Sequence, residues 1–208
     1  MVRYTGPVCR LCRREGMKLF LKGDRCLSEK CSFDRRPTPP GMHINARTKV
    51  SEYGLRLREK QRMKRFYGLI GERQFRRYVE LAEKMGGVTG DNLYFLLERR
   101  LDNVLYRSGF ASSRQEARQM ISHGHFNVNG RRVNIPSFQV QPGDVISVRE
   151  NSKGLFSSEY VEVMKERTPA SWISVDYDKL EIKFDRLPQR EELDVPIREN
   201  LIIEFYSR

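Results

Sequence analysis

The sequence predicts an α+β protein. A mostly helical stretch is followed by a compact unit of two helices and a small antiparallel sheet, and a four-cysteine knuckle stands at the N-terminal end. Three observations carry this expectation. Apolar residues recur with helical period between positions 51 and 107. Asn129-Gly130, flanked by Phe126-Asn127-Val128 and Arg131-Arg132-Val133, is the strongest short hairpin signal. All four cysteines lie between positions 9 and 31.

The cysteines come first, with the spacing Cys9-x2-Cys12-x13-Cys26-x4-Cys31. Two short knuckles separated by a loop match the spacing of four-cysteine structural zinc sites, because a tight turn aims paired thiolates at one point. Cys9, Cys12, Cys26 and Cys31 are the candidate metal ligands, with zinc the first reading and an iron–sulfur cluster the second. Disulfides or free thiols are the remaining readings. Four thiolates leave a net −2 on a zinc ion, which the nearby Arg10, Arg13, Arg14, Lys22, Arg25 and Lys30 would offset. They also leave no position for a reacting water, so such a site is structural.

Arg35-Arg36-Pro37-Thr38-Pro39-Pro40-Gly41 cannot be helical and reads as an extended loop. Ser51 is a plausible N-cap for a helix reaching Tyr67. Its basic residues Arg56, Arg58, Lys60, Arg62, Lys64 and Arg65 point nearly all round, leaving a narrow stripe of Leu55, Met63 and Phe66. Glu59 alone interrupts the run, and like charges one turn apart need a counter-ion. Phosphate would supply it. Gly68 and Gly71 bracket a turn before a helix over 72–85, with Phe75, Tyr78, Val79 and Ala82 at core spacing and Arg73, Arg76 and Arg77 on its other face. A helix over 91–107 buries Leu93, Leu97, Leu101 and Val104 or Leu105, with Gly109 beyond its end.

Ser113-Arg114-Gln115-Glu116 is a capping-box pattern that opens another helix. Ala117, Met120 and Ile121 form its apolar face, and Arg114 and Arg118 project together from another. Gly124 ends it. The hairpin follows, then a Pro142-Gly143-Asp144 turn and the strand 145–148. Helix N-terminal amides beside Arg114, Arg118, Arg131 and Arg132 make a platform for neighbouring phosphates. Such a platform reads backbone shape, which suits structured RNA. Residues 172–175 and 181–184 read as strands; 201–206 is apolar, and periodicity does not decide between helix and strand.

Composition narrows the partner. The 208 residues fit one or two domains and carry a formal charge of +12. Residues 1–77 hold +14 of net charge and 99–149 hold +5, whereas 150–208 hold −4. Arg outnumbers Lys, and Arg pairs bidentately with phosphate. No apolar run approaches the ~18 residues of a membrane helix, and Met1–Pro7 opens no signal peptide. The expectation is a cytoplasmic protein with no membrane and no small-molecule substrate, its basic front facing nucleic acid and its acidic end facing protein or solvent. Candidate RNA contacts are Arg3, Arg13, Arg14, Arg35, Arg36, Arg47 and Lys49 in the N-terminal segment, and the six basic residues of the 51–67 helix. Arg73, Arg76 and Arg77 continue the set. Ser113, Arg114, Arg118, His123, His125, Arg131 and Arg132 complete it. His43, His123 and His125 have no catalytic partner at suggestive spacing.

Taken together, Arg3-Tyr4-Thr5-Gly6-Pro7, Leu57-Arg58-Glu59-Lys60-Gln61 and Arg73-Gln74-Phe75-Arg76 resemble the bacterial-type family of small-subunit ribosomal protein four. So do Arg100 to Val104, Ala117-Arg118-Gln119, His123-Gly124-His125, Val128-Asn129-Gly130 and the ending Glu204 to Arg208. The likeness runs over essentially the whole chain, and the cysteines resemble the metal-bearing branch. It implies a primary binder of a 5′-domain junction in small-subunit ribosomal RNA that nucleates assembly. It further implies contact with ribosomal protein five, a place at the mRNA entry region, and an influence on decoding accuracy. The implied division is 1–45 as metal knuckle and Pro-rich loop, 46–93 with 188–208 as helical domain, and 94–187 as inserted RNA-binding domain. The family's usual Pro-Gly-Gln-His-Gly reads Pro40-Gly41-Met42-His43-Ile44 here.

The chief rival is an RNA-modifying enzyme of the pseudouridine-synthase type, which carries the same module; Arg100-Leu101-Asp102 echoes its catalytic Arg-Leu-Asp. Against it, Asp102 falls inside an amphipathic helix, as a surface or supporting carboxylate, and no catalytic domain is evident. A free-standing zinc-containing regulator would need an oligomerisation element or base-reading helix, and neither is evident.

Overall fold

A computed structural model describes residues 4–42, 49–193 and 195–207; Arg3, His43 and Arg47 lie outside them. The chain divides into two compact units, one running to Leu93 and resuming at Val195, the other Tyr94–Asp194. Among the described residues no helix is long and apolar enough to cross a membrane.

The first unit begins with α1 (Cys9–Glu15), stopped by Gly16 in the left-handed region at φ 69°. A single turn, α2 (Ser32–Arg35), follows the cysteine loop. Ser51 accepts the Gly54 N–H on its side chain and opens α3 (Glu52–Phe66), as its sequence predicts. Met63 and Phe66 are buried, but Leu55 is 49% exposed and drops out of the predicted apolar stripe. Its neighbours Tyr53 and Arg56 meet Phe205 and Glu204 near the end of the chain, and Leu55 faces away from that contact. After the turn at Gly68, α4 (Glu72–Lys84) buries the four residues its period picks out: Phe75, Tyr78, Val79 and Ala82.

The predicted helix over 91–107 is two helices, α5 (Thr89–Glu98) and α6 (Leu101–Arg107). Arg100 is extended (φ −66°, ψ 134°) and bridges to Gln139. The segment 136–140 captures the freed backbone: Leu101 N–H donates to Phe138 O, Asp102 N–H to Pro136 O, and Val140 N–H to Arg99 O. Leu97, Leu101, Val104 and Leu105 stay buried across the break, so periodicity alone does not reveal it.

α7 (Arg114–His123) packs on α6 and ends at left-handed Gly124, φ 77°. Five strands then build one antiparallel sheet: β1 (Phe126–Val128), β2 (Arg131–Arg132), β3 (Val145–Val148), β4 (Ile173–Asp176) and β5 (Glu181–Phe184). Their order is β2-β1-β3-β5-β4. Asn129 and Gly130, at φ 48° and 76°, form the two-residue turn that pairs Val128 with Arg131. Alternate residues Phe126, Val128, Ile146, Val148, Ile182 and Phe184 are buried on one face. α8 (Ser158–Glu166) lies between β3 and β4 in the chain. The apolar ending folds as a helix, α9 (Glu199–Tyr206), and packs along α3.

Candidate nucleic-acid interface

The N-terminal cysteines converge. Cys9 and Cys12 sit on α1, Cys26 closes a 3₁₀ turn and Cys31 caps α2. All four line one cavity with Lys22, Arg25, Ser32 and Phe33, and all are free thiols. Burial pushes the Cys12 thiol up to about 11, and the fields of Cys26, Cys9 and Cys31 add to the shift. Yet among the described residues no three His, Cys, Asp or Glu side chains form an arrangement that could hold a metal ion. Arg13 is occupied nearby: it donates to Thr38 O at 2.8 Å and Pro39 O at 3.3 Å, holding the Pro-rich loop.

The basic helix α3 finds its counter-ions within the protein, where the sequence reading left them to phosphate. Glu15, whose carboxylate is fully buried, receives Arg58 at 3.3 Å and also Arg65, while Arg62 reaches Glu59 and, at 3.8 Å, Glu15. Burial raises the Glu15 pKa despite the opposing fields of Arg65, Arg58 and Arg62. Glu72 receives Lys60 at 2.8 Å, Lys64 at 2.6 Å and the Tyr206 hydroxyl at 2.7 Å. Arg56 donates to Glu204 at 2.7 Å and Glu52 at 3.3 Å. All six candidates on this helix are therefore ion-paired, and Lys60 is buried with its ammonium 4.1 Å from the Phe205 ring centroid. Glu52 and Glu59 belong to α3 itself, whereas Glu15, Glu72 and Glu204 come from α1, α4 and α9 and lie outside the run that local charge counting covers.

Glu72 ties three elements together. Its partial burial pushes the pKa up, but hydrogen bonds from Lys60, Lys64 and Tyr206 outweigh that and hold it at about 2. Its stabilising contribution is thus complete above its ordinary value of 4.5 and lost as pH falls toward 2. Acid titration followed by near-ultraviolet circular dichroism of the tyrosines should show α9 held through mild acid, and Glu72→Gln should abolish that carboxylate-linked phase.

On α4, Arg73 and Arg77 are exposed one turn apart, and among the described residues neither has a carboxylate partner; Arg76 pairs with Glu80. Arg14, Arg35, Arg36 and Lys49 are also exposed.

In the second unit the predicted platform is rearranged. Ser113 caps Glu116 N–H as expected, but Glu116 reaches back to the N–H and hydroxyl of Ser112, both at 2.6 Å, one residue before the cap. A carboxylate already occupies that helix end. Arg114, expected on an outward face, is 3% exposed. Its Nε donates to Asn103 Oδ1 at 2.7 Å and its guanidinium lies 4.2 Å from the Tyr106 ring centroid. Tertiary partners on α6 turn this arginine inward. Asp102, expected at the surface or in a supporting role, is 1% exposed and clasped by Arg100 at 3.0 and 2.6 Å. Arg100 and Asp102 both sit at the break between α5 and α6.

The basic groups that do gather lie at the other end of α7. His123 is exposed, with its ring centroid 5.8 Å from that of His125. His125 Nδ1 is 3.0 Å from Ser152 Oγ, and Arg149 donates to Gly124 O at 3.1 Å. Arg131 and Arg132 are exposed on β2, and the Arg132 guanidinium sits 2.5 Å from where a Cβ on Gly124 would stand. Arg118 is half-buried. Sequence reading missed Arg149, because only the sheet brings it beside the His123–His125 corner.

Comparison with known proteins agrees with this architecture. Residues 3–98 match the ribosomal protein S4/S9 N-terminal domain and residues 99–146 match the S4 domain. The small ribosomal subunit protein uS4 of Caldicellulosiruptor bescii is 59% identical over 211 residues. Those of Pelotomaculum thermopropionicum and Halothermothrix orenii are 58% and 57% identical over 209 residues. Each alignment covers 100% of both chains. The chain belongs to the uS4 family of small ribosomal subunit proteins.

Proposed function

We propose that this protein is a structural constituent of the small ribosomal subunit, working in the cytoplasm, that binds small-subunit ribosomal RNA and is not an enzyme. The observation that carries the reading is similarity to curated small-subunit proteins across the whole chain. The pseudouridine-synthase alternative has no support in the Arg100–Asp102 pair, whose carboxylate is buried and held by two hydrogen bonds. Binding at a 5′-domain junction, contact with ribosomal protein five and a position by the mRNA entry are the finer parts of the proposal.

Exposure sorts the candidate contacts. Cations without an internal carboxylate gain most from phosphate, whereas those of α3 must first exchange a partner. Replacing Arg73 and Arg77 together by Ala should flatten the log–log salt dependence of RNA binding by roughly 1.4–1.8 units if both neutralise phosphates. Replacing Arg58 and Arg65 should leave the slope nearly unchanged and lower stability instead. Filter binding to a 5′-domain transcript over a salt series checks both; equal slope losses would place α3 in the RNA contact as well.

We further propose that Cys9, Cys12, Cys26 and Cys31 hold a structural zinc ion, with an iron–sulfur cluster the second reading. Four thiols line one cavity, and burial opposes ionisation of Cys12 and Cys26; a divalent cation would favour their thiolates and draw the four sulfurs together. Bound metal would cross-link α1 to α2 and supply folding energy. Cys12→Ser should then lose bound metal by elemental analysis and expose the N-terminal segment to protease, while residues 94–148 stay folded. An unchanged digestion pattern in a metal-free protein would count against it.

A further inference from the structure

The cations of α3 are matched by carboxylates, whereas among the described residues the basic groups of one corner in the second unit have no carboxylate partner. Around left-handed Gly124, the end of α7 supplies His123, the entry to β1 supplies His125, β2 supplies Arg132 and the end of β3 supplies Arg149. The charged groups acting on His125 are His123 and Arg149, both of the same sign as its own protonated form. The neighbour on its Nδ1 is the uncharged Ser152 hydroxyl. Arg149 spends one nitrogen on the Gly124 carbonyl, which fixes its guanidinium beside the corner. Arg132 lies over the same glycine, where a side chain would displace it. On α3, by contrast, every basic group has an acid within 4 Å.

We propose that His123, His125, Arg132 and Arg149 form a single phosphate subsite whose occupation is coupled to uptake of a proton by His125. The inference rests on the ribosomal RNA reading and adds to it a chemical mechanism for one contact. Ser152 engages Nδ1 of His125 and leaves Nε2 as the ring atom available to a ligand. His123 and Arg149 both oppose a positive charge on His125, so in the free protein its ring resists protonation. A phosphate oxygen reverses that balance, because an anion within about 4–6 Å favours the protonated ring. The proton comes from solvent, and no bond within the protein breaks.

The direction of the pH effect follows. Burial first, then the fields of His123 and Arg149, hold the free His125 pKa below its ordinary 6.5. Phosphate raises it in the complex. Affinity therefore climbs as pH falls through the bound pKa and levels off below the free pKa, with a limiting slope of about tenfold per pH unit for one proton.

The test is affinity for a small-subunit 5′-domain transcript between pH 5.5 and 8.5 at fixed salt, for wild type, His125→Gln, His123→Gln and Arg149→Gln. Thermal melts of each variant confirm that it folds. Wild type should bind roughly threefold to tenfold tighter at the acid end. That gain should shrink in His123→Gln and vanish in His125→Gln. Arg149→Gln should weaken binding and lower the salt slope by about one unit while keeping a pH dependence. Tight binding with the same pH profile in wild type and His125→Gln would overturn the subsite and leave the RNA reading intact. Failure of wild type to bind at any pH would overturn the RNA reading, and the subsite with it.

Discussion

Asp102→Ala is expected to cost about 3–5 kcal/mol, because it strips the bidentate carboxylate from a guanidinium sealed in the second unit. Arg100 has no measurable exposure and cannot recover its loss from water. Against a typical total of about 5–15 kcal/mol, such a loss leaves the unit marginal at growth temperature. Chemical denaturation of the variant should show a large drop in midpoint, and RNA binding should fail in proportion to the unfolded fraction. A catalytic Asp would behave differently, sacrificing turnover while the fold survived. Asp102→Asn should be milder, since the amide retains one acceptor for Arg100.

The second large effect is expected at Arg114. Its removal leaves Asn103 Oδ1 without a 2.7 Å donor and uncovers the Tyr106 ring. Asn103 is itself held by Glu98, at 2.6 Å, and Glu98 by Arg107, at 2.9 Å, so the chain of bonds crosses α5, α6 and α7. Arg114→Ala should destabilise the unit by about 2–4 kcal/mol, combining a buried charged hydrogen bond with a desolvated cation–ring contact. Arg118→Ala, at a half-buried position, should cost well under 1 kcal/mol. The two variants separate on a denaturation curve before any RNA is added. If Arg114→Ala kept full stability and lost only RNA affinity, the side chain would be acting outward after all.

These two residues show where sequence patterns lose their hold. Caps, glycine stops and the Asn-Gly turn are encoded within a few residues, so α3, α4, α7 and the first hairpin are legible from the chain. Arg114 sits one residue after a cap, where local rules favour exposure; its burial depends on Asn103 and Tyr106 on another helix. The break between Glu98 and Leu101 depends on backbone partners near residue 138, and helical spacing of leucines runs straight through it. Charge counting identified α3 as unusually basic, but Glu15, Glu72 and Glu204, which neutralise it, lie on three other elements. The Gly124 corner was half legible: its histidines and hairpin arginines are near neighbours in sequence, and Arg149 is not.

The pairing of α3 with α9 has a consequence in time. Arg56 reaches Glu204 across 148 positions, and Lys60 lies against Phe205 near the end of the chain. During synthesis the first helical segment leaves the exit tunnel long before α9, the helix that completes it. The unit Tyr94–Asp194 is wholly translated in between and can close on its own local hairpins and helix pairs. Until the last turn appears, the cations of α3 nearest α9 lack part of their protein partners and stand open to any polyanion at hand. A nascent chain stalled before Leu201 should therefore hold RNA through α3 more strongly, and less selectively, than the finished protein does.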